Sequence, residues 1–141
     1  CEAGRLGQKS GKGFYIYDEN RNKSPDPEVE ALIRKFGEER QIRMRDDITK
    51  EEILERCLYP MVNEGFKILE EGMAIRASDI DIVWTNGYGW PVYEGGPMFY
   101  GNIIGFDKIL FWLKKAELEL GPEFKPSAYL EKVVTEEINI F

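Results

Sequence analysis

The chain has 141 residues, enough for one core of ordinary size, and its 43% hydrophobic, 32% charged composition is that of a globular protein. A net charge of −7 repels phosphate backbones and argues against a nucleic-acid role; acidic neighbours dilute the basic run Arg40–Arg43–Arg45. There is no histidine, which excludes an imidazole base, relay or metal ligand within the chain, and Cys1 and Cys57 alone cannot build a zinc site.

Residues 1–18, CEAGRLGQKSGKGFYIYD, place glycines at 4, 7, 11 and 13 before the β-prone run Phe14–Tyr17. A strand there has no evident partner, and a lone strand is not stable by itself. The polar stretch 18–28, broken by Pro25 and Pro27, reads as a connector. Its Asp18-x-Asn20-x-Asn22 spacing fails as a calcium loop, because Lys23 stands where a glycine is needed and Val29 where a glutamate is needed. Val29, Leu32, Ile33 and Phe36 recur at helical spacing over 28–39, and Gly37 is the expected stop.

The clearest element begins at Thr49. Thr49-Lys50-Glu51-Glu52 has the pattern of a capping box. Apolar residues follow at Leu54, Cys57, Leu58, Met61, Val62, Phe66 and Leu69, one broad face at helical period that ends at Gly72. The spacing predicts a helix over 49–72, roughly 35 Å long, with a kink near Arg56 caused by Pro60. Within that face Cys57 reads as a small buried hydrophobe, which fits a reducing compartment. Ser78 is the expected cap of a short helix through Ile80 and Val83. A Gly/Pro-rich loop, 87–98, comes next. Asp107 is the expected cap of a helix burying Ile109, Trp112, Leu113 and Ala116, and Gly121-Pro122 ends it. Ser127 starts a last helix with Leu130, Val133 and Val134 inward. No apolar run approaches the length of a membrane span.

Neither glycine cluster reads as a nucleotide site. Gly11-Lys12-Gly13 lacks the earlier glycine and the following Ser or Thr of a phosphate-cradling loop. Gly87-Tyr88-Gly89 lacks a third glycine and follows a helical pattern rather than a strand. The aromatics of 87–98, Tyr88, Trp90, Tyr93 and Met98 beside them, read as a rigid plug on the end of a helical core that can also meet a neighbouring domain. Asn63-Glu64, polar in the middle of the long helix, reads as a helix-to-loop or interdomain hydrogen-bonding pair.

Three passages resemble a known family. Gly4-Arg5-Leu6-Gly7-Gln8-Lys9-Ser10-Gly11-Lys12-Gly13-Phe14-Tyr15 is similar to the segment that closes the helical domain of 3-hydroxyacyl-CoA dehydrogenases. Glu51 to Pro60, continuing through Asn63-Glu64 and Glu70-Glu71-Gly72-Met73-Ala74, resembles the first long helix of that domain type. Ile80-Asp81 with Gly87-Tyr88-Gly89-Trp90-Pro91 and Gly95-Gly96-Pro97-Met98 resembles its Gly–Pro loop, in wording most like the peroxisomal-type multifunctional β-oxidation enzymes.

The resemblance implies a mainly α fold, a helical bundle of the 3-hydroxyacyl-CoA dehydrogenase C-terminal (6-phosphogluconate dehydrogenase C-terminal-like) type with a short extended N-terminal tail. A closing segment placed before a helical domain implies tandem copies: 1–18 the tail of a first copy, 19–47 a linker with a short helix, 48–141 the second copy. With Cys1 rather than Met at position 1, the chain is expected to start inside a longer gene product. The partners implied are the preceding dehydrogenase domains of the same polypeptide, with acyl-CoA as substrate and NAD as cofactor of that parent. No cofactor is expected on this chain.

The family's His–Glu pair belongs to a Rossmann domain that this chain lacks. The position of its supporting Asn, just before an Arg, is occupied here by Glu55 before Arg56, which implies a non-catalytic copy. Asn63, Glu64, Gly87, Gly89, Trp90, Pro91, Gly96 and Pro97 are the residues expected to serve interdomain or structural roles. The resemblance points to a peroxisome, with the mitochondrial matrix or a bacterial cytoplasm as alternatives; Asn139-Ile140-Phe141 is not a Ser-Lys-Leu-type signal. A different class of reading is a free-standing helical interaction module with no enzymatic parent.

Overall fold

The computed structural model describes residues 4–42 and 44–141, so Cys1 and Arg43 lie outside the described residues. The chain divides into two compact units, Cys1–Asp47 and Ile48–Phe141. In the first, β1 (Tyr15–Tyr17) pairs antiparallel with β2 (Lys23–Pro25). The aromatic run therefore has a partner, and that partner comes from within the stretch expected to be a connector. Asp18 builds the turn between the strands, its carboxylate accepting from the Asn22 backbone and side-chain amides, each at 2.8 Å.

Helix α1 (Pro27–Glu39) follows, capped by Asp26, whose carboxylate accepts from the Glu28 amide at 3.0 Å. Arg5 ties this start to the strands: its guanidinium pairs with Asp26, reaches Glu28 at 2.7 Å and donates to the Gly13 carbonyl at 3.0 Å. Arg5 holds the Asp26 carboxyl below the usual aspartate value. Gly37 does not stop α1 but lies buried inside it. Of the predicted stripe, Val29 is buried while Ile33 and Phe36 are exposed.

The second unit is a bundle of five helices, α2 (Lys50–Glu70), α3 (Ala77–Gly87), α4 (Pro97–Ile104), α5 (Phe106–Leu120) and α6 (Ala128–Thr135), with 3-10 turns at Val92–Glu94 and Pro122–Phe124. Thr49 caps α2, accepting from the Glu52 amide at 3.1 Å. The helix runs through Pro60 over 21 residues, roughly 32 Å. It closes with Gly72 in the left-handed region, the Gly72 and Met73 amides returning to Leu69 and Ile68.

Tyr59, Val62 and Phe66 of α2 meet Ile80, Met98, Ile109, Leu113, Leu130 and Val133 in one core. Phe66 packs edge-on against Phe106 at 4.9 Å and Tyr59 against Trp112 at 5.6 Å. Each fully buried side chain of this kind contributes roughly 1.5–3 kcal/mol.

Four local expectations are corrected. Cys57 is exposed, and so are Ile53 and Leu54: the buried residues of α2 begin only at Tyr59. Helix α3 starts earlier than Ser78 would allow: the Asp79 carboxylate accepts from the Arg76 amide at 3.2 Å and the cap is Arg76. Asp107 lies in the first turn of α5, whose cap is Gly105 at φ 100°. Pro97 and Met98, expected to lie in the loop 87–98, instead open α4, with Pro97 at its first position, where a missing N–H costs nothing.

Candidate functional site

Three polar side chains of the helical unit are buried: Asn63, Asp81 and Ser127. Asn63 sits on the buried side of α2. Its side-chain amide donates to the Lys125 carbonyl at 2.9 Å, and its oxygen accepts the Ser127 amide at 2.8 Å. The expected helix-to-loop bond is therefore a pair of bonds to the turn that launches α6. Ser127 caps that helix, accepting from the Tyr129 and Leu130 amides at 3.1 and 3.3 Å.

Glu70, near the end of α2, completes the cluster: its carboxylate accepts from the Ser127 hydroxyl at 2.7 Å and the Tyr129 amide at 3.3 Å. The negative charge thus stands at the positive end of α6. The Ser127 hydroxyl, then the Tyr129 amide, hold the Glu70 carboxyl below the usual glutamate value. A lowered folded value adds stability that is full above the unfolded glutamate value and is lost as pH falls through the folded one. Ser127→Ala is expected to cost about 1 kcal/mol as a lost cap. It should also flatten the acid limb of stability measured by urea titration between neutral and acidic pH. An unchanged acid limb would rule out this partnership.

Asp81 forms the second cluster. Helix α4 begins after Gly96, which has no side chain to cap it, and Asp81 of α3 supplies the missing acceptor. Its carboxylate takes the Met98 amide at 2.7 Å and the Phe99 amide at 3.1 Å. Burial raises its proton affinity, and the two amides partly offset that. Its sign is opposite to that of Glu70, since a raised folded value favours the folded state at low pH and loses that contribution as pH rises. Gly96, at φ 101°, presses directly on Asp81, and a Cβ there would lie 2.4 Å from the Asp81 Cβ. Pro97 is buried behind it.

The remaining loop residues separate by exposure. Trp90 is 9% exposed and packs against Trp84 and Tyr100 at 6.2 and 6.0 Å. Among the described residues its Nε1 has no hydrogen-bond partner. Tyr88, Pro91 and Tyr93 are exposed, so Trp90 alone of these aromatics plugs the core. Gly87 ends α3 in open space, and Gly89 makes the following turn at φ 75°. Glu64 is exposed and pairs with Lys67 at 3.3 Å.

Glu55, the position implied for the family's Asn, is partly buried and lies 3.8 Å from Lys108 of α5. Tyr59, with Glu55 adding to the effect, raises the affinity of the Lys108 amine for its proton. A carboxylate neutralised by an ammonium offers no amide donor for a carbonyl.

Sequence reasoning missed Asp81 as a clamp and Glu70 as a cap. The former was visible only as Ile80-Asp81 in the family resemblance; for the latter no local signal exists, because its partner is 57 residues away. A dinucleotide does not fit either glycine cluster. Gly87 and Gly89 follow the C-terminal end of α3, where exposed carbonyls repel phosphate, and the helix that follows the hairpin beside Gly11 and Gly13, α1, already has the Asp26 carboxylate at its first amides.

Comparison with known proteins places this architecture. The human peroxisomal bifunctional enzyme is 43% identical over 140 residues, which is 96% of this chain and 19% of that protein. The Arabidopsis thaliana peroxisomal fatty acid beta-oxidation multifunctional protein AIM1 is 39% identical over 134 residues, 93% of this chain and 19% of that one. Among solved structures, the dehydrogenase part of multifunctional enzyme 1 from C. elegans superposes with a TM-score of 0.67 at 33% identity, over 93% of this chain and 30% of that chain. The chain therefore spans about a fifth of the length of the curated relatives it matches. Residues 53–138, all within the helical unit, match the model of the 3-hydroxyacyl-CoA dehydrogenase C-terminal domain, and the chain belongs to that family.

Proposed function

We propose that this segment is the supporting, non-catalytic second C-terminal domain, residues 48–141, of an NAD-dependent 3-hydroxyacyl-CoA dehydrogenase of fatty-acid β-oxidation, with 1–18 the end of a first copy and 19–47 the linker. The observation that carries the reading is the use of the buried polar groups: Asn63, Asp81 and Ser127 all hold backbone amides or carbonyls of their own unit. Groups spent in this way are not available to move protons or hydride.

The open apolar face of α2, with Ile53 and Leu54 about half exposed beside Cys57, supports docking against the preceding dehydrogenase domains of the same polypeptide. The rigid loop around Trp90, with Gly87, Gly89, Pro91, Gly96 and Pro97 fixing its path and Glu64 on the outer face of α2, is the second surface we assign to interdomain contact. In this reading acyl-CoA and NAD bind elsewhere in the parent, and this domain helps to shape their cleft. The peroxisomal relatives support a peroxisomal location, and their far greater length favours an enzymatic parent over a free-standing module.

Glu55→Gln in the full polypeptide tests the non-catalytic assignment. NAD-dependent oxidation of a 3-hydroxyacyl-CoA is expected to keep its kcat and KM within about twofold. A fall on the order of a hundredfold in kcat would give Glu55 a part in the chemistry.

A further inference from the structure

We draw no further inference here: the strongest candidate, the shallow apolar groove formed by Ile82 of α3, Val92 of the loop, Phe99 of α4 and the ring of Phe141, carries nothing because nothing in the structure shows what covers it.

Discussion

Gly96→Ala is expected to cost the helical unit about 3–5 kcal/mol, the largest loss of any single methyl addition in the loop. Two penalties fall together. The backbone holds φ at 101°, which an L side chain rarely adopts, and the new Cβ would lie 2.4 Å from both the Cβ and Oδ1 of Asp81 and 2.6 Å from its Cα. Backbone and a short side chain cannot yield as the far end of a flexible chain can. Asp81 is also the acceptor that holds the first amides of α4, so any retreat lengthens the 2.7 Å bond to Met98.

Two neighbouring glycines separate these penalties. Gly89→Ala meets open space at φ 75° and should cost only about 1–2 kcal/mol, the left-handed penalty alone. Gly87→Ala is at the end of α3, with open space and no positive φ, and should be neutral or slightly stabilising. Urea denaturation of the three variants gives the order directly. Equal losses for Gly96→Ala and Gly89→Ala would show that contact with Asp81 is not what confines the loop.

The second large effect is expected at Asn63. Asn63→Ala leaves the buried Ser127 amide and the part-buried Lys125 carbonyl without their partner, at about 2–4 kcal/mol in all. Asn63→Asp is more informative because its shape is unchanged. One oxygen still accepts the Ser127 amide, but the other faces the Lys125 carbonyl, and at neutral pH a buried charge is added. That variant should be less stable than Asn63→Ala at neutral pH and should recover as pH falls, when a protonated carboxyl can donate to the carbonyl. Parallel denaturation curves for Asn63→Asp at neutral and acidic pH, with no recovery relative to the parent, would contradict the assigned donor and acceptor roles.

These two sites show where the sequence was readable. Helix α2 was legible because Thr49, Glu52 and the apolar period lie within one continuous stretch, and Ser127 was legible as a cap for the same reason. Asn63 was legible as a hydrogen-bonding residue but its partners were not, and the role of Asp81 was hidden altogether, since the partners lie 62–64 and 17–18 residues away and only the assembled bundle brings them together. Helix α4 was hidden by composition: Gly95-Gly96-Pro97 signals a turn, and the same proline that ends one element starts the next.

Cys57 failed for another reason. Helical period tells which residues share a face, not how far along the helix that face is buried, and here the buried residues of α2 begin at Tyr59. The family resemblance, carried by Gly–Pro wording and the α2 passage, reached further than periodicity did. The match over residues 53–138 falls on that same unit.

In the proposed reading the chemistry resides outside this chain. The most direct measurement is NADH formation by the purified chain supplied with a 3-hydroxyacyl-CoA and NAD, with helical circular dichroism recorded on the same sample. We predict a folded helical protein with no turnover above the rate without enzyme. Sustained NADH formation by that folded chain, abolished by substitution of one of its own carboxylates or tyrosines, would contradict the account.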